Sequence, residues 1–243
     1  YREKPLAVAF PRSSDDIRRL IAFAAEHKTS LIPRAAGTSL AGQVVGNGIV
    51  VDISRHMGAI IELNKSEKWV KVQPGVVLNE LNKFLAPHGL FFGPETSTAD
   101  YCMIGGMVGN NACGAHSLVY GSTRDHTLEI TALLADGSEV VFGDLSPEQL
   151  QQKLSLTGLE GDIYRKVHQI LSDQDNRELI HEQYPDPRLK RRNTGYALDL
   201  LAQCRPYNPE GPPLNLSRLL AGSEGTLAFV TGIKLNLVDL PPK

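Results

Sequence analysis

The sequence predicts an α+β fold in which a small βαβ unit, about residues 1–57, precedes a larger unit of mixed and antiparallel strands with helices, about residues 58–243. Three observations predict it. Apolar runs and one helical repeat alternate as strand, helix, strand over the first fifty residues; an Asp-Gly turn between apolar runs marks a later hairpin; and between them lie long stretches rich in Gly, Asn, Ser and Thr, which read as loops at the junction of the two units.

The elements follow in order. "LAVAF" reads as a strand, "PRSSDD" as a turn and cap with Ser14 as N-cap, and Ile17, Leu20, Ile21 and Ala24 recur at helical spacing. "SLIPR" and "GIVVDIS" read as the next two strands and complete the βαβ unit. "KWVKVQPGV" is a strand that stops at Pro74-Gly75, and Val77, Leu78, Leu81 and Leu85 form a helical stripe ended by Pro87 and Gly89. The segment from Gly93 to Leu128 has little charge; it is too regular for a linker and too polar for a core. "EITALLADGSEVVFG" is a hairpin around Asp136-Gly137, Ser146 to Leu171 is helical, "PYNPEGPPLN" is a loop, and "TLAFVTGIKLNLV" is a closing strand.

Composition narrows the function. A formal charge of -2 supplies no field to attract a polyanion, so nucleic acid is not an expected partner. The basic run "RLKRRN", Arg188 to Asn193, reads first as a solvated loop face. Three cysteines are odd in number and too few for a disulfide framework, which suits a reducing compartment and a cytoplasmic location. No apolar run approaches the roughly 18 residues of a membrane span, which leaves at most a peripheral place at the inner membrane. The first residue is Tyr, consistent with a piece of a longer protein.

Two familiar phosphate motifs are missing: there is no GxxxxGK[ST], and no GxGxxG follows the first strand. Yet "PRAAGTSLAGQ" offers unhindered N–H groups, hydroxyls and one cation across Arg34, Ala35, Ala36, Gly37, Thr38 and Ser39, which is what a pyrophosphate needs. The same run reads equally well as a tight turn of small residues. A second constellation, "IGGMVGNNACG" from Ile104 to Gly114, joins bare backbone to amide side chains suited to a flat heteroaromatic ring, and "GSEGT" at Gly222 to Thr226 precedes the last strand. Cys113 and His116 fall short of a metal site.

Taken in order, "PRAAGTSLAGQ", "VQPGV", "GPETST", "IGGMVGNNACG", "YGSTRDHTL", "NTGYAL" and "GSEGTL" resemble the FAD-binding (PCMH-type) domain of the vanillyl-alcohol oxidase and p-cresol methylhydroxylase superfamily. Within it the sequence is most similar to the FAD-linked 2-hydroxy-acid dehydrogenases, among them D-lactate dehydrogenase and the flavin subunit of glycolate oxidase. The resemblance implies that Arg34 to Ser39 form the pyrophosphate loop, and that Pro94, Glu95, Thr96, Ser97, Ile104, Gly105 and Gly106 follow the flavin and ribityl chain, with Asn110 and Gly114 behind. It places Tyr120, Gly121, Thr123 and Arg124 beside the ring and pyrophosphate, and Glu224, Gly225, Thr226 and Val230 toward the adenosine or ribityl side. It also sets Arg191, Arg192 and Asn193 near the flavin edge or a cap interface, against the plainer surface reading.

The implied chemistry is oxidation of a 2-hydroxy acid such as D-lactate or glycolate by hydride transfer to flavin N5, with a quinone, cytochrome, flavoprotein or iron–sulfur partner as electron acceptor. Thr38 stands near where covalently flavinylated relatives carry a histidine, so the expected FAD is non-covalent, and Cys102 is expected to be a buried free thiol. Substrate-binding and catalytic residues are expected in a C-terminal cap domain absent from this chain, which alone would turn over poorly. A flavin-binding electron-transfer module and an aldonolactone-oxidase-like enzyme are the alternatives.

Overall fold

The structure is a computed structural model that describes residues 2–189, 191–192 and 195–241. Strands β1 (Ala7–Ala9), β2 (Leu31–Arg34) and β3 (Ile49–Asp52) pair in parallel in the order β1-β3-β2, and helix α1 (Ser14–Glu26) makes the crossover between β1 and β2. The βαβ reading is therefore met, with one change at the cap. Ser13, not Ser14, holds the extended N-cap conformation and accepts a hydrogen bond from the Asp16 amide at 3.3 Å.

The second sheet is antiparallel throughout. Its strands are β4 (Ile60–Asn64), β5 (Trp69–Val72), β7 (Thr127–Leu133), β8 (Glu139–Phe142) and β9 (Phe229–Asn236), in the order β4-β5-β9-β7-β8, while β6 (Leu90–Phe91) pairs separately with β10 (Val238–Asp239). The closing strand thus becomes the sheet centre, because β9 alternates buried residues such as Ile233 and Leu235 with Lys234 and Asn236 on the opposite face. Helix α2 (Leu78–Leu85) covers the inner face with Leu78, Leu81 and Leu85, each almost fully buried and each contributing about 1.5–3 kcal/mol by burial.

The largest departure from the sequence reading lies in the glycine-rich stretch. "IGGMVGN" is a helix, α3 (Ile104–Asn110), and it supplies Ile104, Met107 and Val108 to the main core, so the segment was misjudged as too polar for one. Its glycines permit close approach: a Cβ on Gly105 would lie 2.5 Å from the Pro74 Cβ. The short helix α4 (Ser117–Tyr120) follows.

Beyond the hairpin the predicted long helix is broken in two. Helix α5 (Pro147–Ser155) begins with a capping box of Ser146 and Gln149, and α6 (Leu159–Ser172) starts after Gly158, whose φ of 85° a side chain would strain. Helices α7 (Gln174–Gln183), α8 (Leu198–Ala202) and α9 (Ser217–Leu220) complete the chain, and the Tyr164 ring of α6 packs against Phe142 of β8. Among the described residues no helix is long and apolar enough to cross a membrane.

A second, smaller core joins the two sheets. Ile17 of α1, Val51 of β3, and Ile53 and Met57 just after β3 pack with Leu133 and Phe229 from the ends of β7 and β9. A cavity beside this core is lined by Pro33 and Arg34 at the C-terminal end of β2 and by Phe229 at the start of β9.

Candidate cofactor site

A cavity of about 390 Å³ lies where the loop after β2, the segment before α3, α3 itself and the turn before β9 converge. Of the residues singled out from sequence, Arg34, Ala35, Ala36, Gly37, Thr38, Ser39, Thr96, Ser97, Gly105, Gly106, Asn110, Glu224, Gly225 and Val230 line it. Segments as far apart in the chain as Arg34 and Val230 are thus brought to one hollow.

The loop after β2 is shaped for an acceptor-rich ligand. Among the described residues no hydrogen bond engages the backbone N–H of Ala36, Gly37, Thr38 or Ser39. Gly37 has φ +67°, and a Cβ there would meet Nε and Nη2 of Arg34 at 3.0 Å, so the guanidinium lies folded against the loop. Among the described residues Arg34 has no carboxylate within ion-pair distance, although it lines the cavity. Four open N–H donors beside an unpaired cation fit a pyrophosphate.

Opposite stands α3. Gly106 faces Ala35, with a virtual Cβ 3.4 Å from the Ala35 Cβ, so a larger residue at 106 would begin to close the space between helix and loop. The turn before β9 forms the third wall. Glu224 holds φ 54°, uncommon for a residue with a side chain, and its N–H donates to the Gly109 carbonyl at 2.9 Å, while the Gly222 N–H donates to Val108 at 2.8 Å. Gly225, at φ +76°, presses its backbone on the Pro33 ring. The turn is therefore strapped to the C-terminal end of α3.

The remaining sequence candidates lie behind these walls. Ile104 is fully buried in the core, and Pro94 is buried too. Gly114 packs backbone to backbone on Glu95, since a Cβ would fall 1.5 Å from the Glu95 carbonyl oxygen, and the Glu95 carboxylate pairs with His116 Nδ1 at 2.5 Å on the surface. The Tyr120 ring packs edge-on against Phe91, and Gly121 leaves room for Asp125. Thr123 bonds through its hydroxyl to the Ala112 carbonyl at 2.7 Å, and the Thr226 hydroxyl donates to the Ser223 carbonyl at 2.6 Å. Arg124 donates to the Ala221 carbonyl, and burial pushes its guanidinium below the ordinary pKa. These groups shape the walls without forming them.

Sequence reasoning passed over other lining residues. Gln43, Thr98, Met103 and Phe229 line the cavity, together with Ser223, Cys102 and Cys113, which the sequence had already brought forward without a ligand role. Cys102 is 5 % exposed, as the free-thiol reading expects, and its Sγ lies 3.2 Å from the Thr96 hydroxyl. Gln43 ends the very stretch that drew attention, and it bonds to Asn110, 67 residues away.

Arg188 and Arg191 of the basic run are exposed, in keeping with the solvated-face reading. Arg188 and Arg192 pair with Asp186 and Asp199, whereas Arg191 donates to the Ser117 hydroxyl at 2.7 Å and the Gly114 carbonyl at 2.9 Å. Asn193 lies outside the described residues.

Fit to a flavin nucleotide rests on three observations: the open N–H donors, an Arg34 with no carboxylate partner among the described residues, and the bare backbone of Gly105 and Gly106 on the facing wall. Comparison with known proteins agrees. A family model described as FAD binding domain matches residues 5–143. The chain is 42% identical over 245 residues to D-2-hydroxyglutarate dehydrogenase of Escherichia coli (strain K12), covering 99% of this chain and 23% of that protein. It is 33% identical over 144 residues to glycolate oxidase subunit GlcD of Bacillus subtilis (strain 168), covering 59% of this chain and 31% of the relative. The crystal structure of 6-hydroxy-D-nicotine oxidase from Arthrobacter nicotinovorans superposes with a TM-score of 0.62 at 16% identity, over 99% of this chain and 38% of the other, which shows a shared fold. The chain spans about a quarter of the length of the D-2-hydroxyglutarate dehydrogenases it matches. With a PCMH-type fold, a cavity suited to a flavin nucleotide and a family match over more than half its length, the chain belongs to the FAD-binding domain family.

Proposed function

We propose that this chain is the FAD-binding portion of a dehydrogenase acting on a D-2-hydroxy dicarboxylic acid of the D-2-hydroxyglutarate type. The observation that carries the substrate class is the extent of similarity. Four D-2-hydroxyglutarate dehydrogenases match along 99% of the chain at 39–42% identity, helices α5 to α8 included, whereas the glycolate oxidase subunit matches 59% at 33%. This shifts the substrate from the lactate and glycolate type that the motifs first brought forward.

Bound FAD would supply the hydride acceptor. The chain's own residues would do the holding: N–H groups of Ala36 to Ser39 and the Arg34 guanidinium take the pyrophosphate, Gly105 and Gly106 allow close approach of the helix backbone, and Glu224 and Gly225 close the far wall, with Thr226 behind them. Pro94, Glu95, Ile104, Gly114, Tyr120, Gly121, Thr123 and Arg124 support these walls in the proposal. The residues that bind the hydroxy acid and remove its proton belong, in this reading, to the polypeptide outside this chain, as does the contact with an electron acceptor. FAD is held non-covalently, since no histidine lines the cavity among the described residues and Thr38 stands in the phosphate loop.

The test uses the full-length polypeptide. It should purify with bound FAD, and D-2-hydroxyglutarate should bleach the flavin absorbance under anaerobic conditions much faster than D-lactate or glycolate. Bleaching by lactate or glycolate alone would overturn the substrate class. Bound flavin that no 2-hydroxy acid reduces would favour an electron-transfer module.

A further inference from the structure

The turn before β9 holds a conformation that its own backbone resists. Glu224 sits at φ 54° and Gly225 at φ 76°, and both line the cavity. A residue with a side chain enters this left-handed region at an energetic cost, and stays there when its surroundings over-determine it. Part of the hold comes from α3, whose Val108 and Gly109 carbonyls accept the Gly222 and Glu224 amides. The rest comes from the other side of the turn. The Thr226 hydroxyl donates to the Ser223 carbonyl at 2.6 Å, and the Tyr196 hydroxyl lies 2.8 Å from the same Thr226 oxygen. A threonine hydroxyl carries one proton and Ser223 takes it, so Tyr196 is the donor and Thr226 the acceptor. Tyr196 is itself fixed from two helices. It stands two residues before α8, whose Leu201 is fully buried in the core, and its carbonyl accepts the Tyr184 hydroxyl at 2.7 Å from the end of α7.

We propose that Tyr196 is a positioning residue for the cofactor cavity: through Thr226 it holds the Glu224–Gly225 wall in its strained conformation, so that the empty turn already has the shape the cofactor meets. This rests on the reading of the cavity as an FAD site. Tyr196 is not among the residues that line the cavity, so it acts through the turn and not by contact. Both Tyr196 and Thr226 are exposed, so water can satisfy either hydroxyl when the other is removed, and the bond adds little to the stability of the ligand-free protein. A water does not restrain the turn as a ring anchored beside α8 does. A turn released from Tyr196 relaxes when empty and must be re-formed on binding, and that cost falls on affinity.

The experiment titrates FAD into deflavinated full-length protein by quenching of flavin fluorescence. It compares Tyr196→Phe with the wild type, and repeats the comparison in Thr226→Val and Glu224→Asn backgrounds. Tyr196→Phe keeps the ring and removes the donor. It should weaken FAD binding about fivefold, the size of one hydrogen bond, while the thermal midpoint of the ligand-free protein stays unchanged. In Thr226→Val, which has no hydroxyl to receive the bond, adding Tyr196→Phe should change the affinity by less than about twofold. The same holds in Glu224→Asn, because asparagine tolerates left-handed backbone and leaves less strain to hold. If the wild type binds no flavin, the cofactor reading falls and this inference with it. If the wild type binds FAD and Tyr196→Phe stays within about twofold of it, the cofactor reading stands and the role of Tyr196 is overturned. An undiminished loss in the Thr226→Val or Glu224→Asn background overturns it equally, since Tyr196 would then act by another route.

Discussion

Arg124 grips the Ala221 carbonyl oxygen with two hydrogen bonds, from Nε at 2.9 Å and Nη2 at 2.6 Å, although the residue is only 8 % exposed and the two positions are 97 residues apart. Its own N–H is taken by the buried Asn111 Oδ1 at 2.9 Å, so one residue joins the end of α3 to the turn before β9. Gly222 must be bare for this, since a Cβ there would lie 2.4 Å from Nη2. Arg124→Met should cost about 3 kcal/mol, because the Ala221 carbonyl is left buried without its donors and the turn loses its anchor. Arg124→Lys should recover only part of this, as an ammonium cannot reproduce the two-pronged fork. Chemical denaturation measures both, and an unchanged midpoint for Arg124→Met would remove Arg124 from the site's architecture.

Gly37→Val should abolish FAD retention while leaving the far-ultraviolet circular dichroism unchanged. The substitution places a branched side chain at φ +67°, strained by about 1–2 kcal/mol, and drives it into the Arg34 guanidinium that the phosphates would face. A Gly37→Val protein that purified fully loaded with FAD would show that the phosphates lie elsewhere.

The Tyr164 hydroxyl is buried with no hydrogen-bond partner among the described residues, so Tyr164→Phe should be neutral or stabilising by about 1 kcal/mol, against the usual sign for a core change. The same burial gives a pH signature. Desolvation raises the Tyr164 pKa, and raises that of Tyr207 to about 12, above the ordinary 10.0. An unfolded chain therefore releases these protons near pH 10 while the folded chain keeps them, and stability falls as pH rises from about 10 toward the folded values. Tyr164→Phe should make the alkaline limb of a stability–pH curve shallower, and an identical limb in the variant would refute the burial account.

Acid precipitation of the flavin-loaded protein should leave the yellow colour in the supernatant, as expected for a cofactor held without a covalent bond. The Cys102→Ser and Cys113→Ser variants should retain FAD, with Cys102→Ser weakened modestly through its contact with Thr96. Flavin that stays in the pellet, and leaves it only when one cysteine is replaced, would identify that thiol as an attachment point.

Much of the fold was legible because its signals are local. Period-two and helical apolar patterns placed β2, β3, β5, β9, α1 and α2, and the Asp136-Gly137 turn marked the hairpin of β7 and β8. The glycines of "IGGMVGN" hid a helix, since glycine weakens helical propensity and only the packing of Gly105 on Pro74 shows why it is there. Strands β4, β6 and β10 escaped notice because short strands are defined by their partners: β10 pairs with β6 across some 150 residues.

The sequence by itself determined which stretch carries bare N–H groups beside a cation, since a run of small residues around one arginine keeps them wherever the loop is placed. It equally determined the family, through seven motifs in order. Only the tertiary structure decided which motif residues face the cavity and which stand behind it. Arg124 and Thr123 read as ligand contacts in the chain, yet they point at the carbonyls of Ala221 and Ala112, because a buried carbonyl demands a donor before any ligand arrives. Gln43 and Asn110 both line the cavity and bond to each other, and that pairing exists only once α3 has packed against the loop after β2.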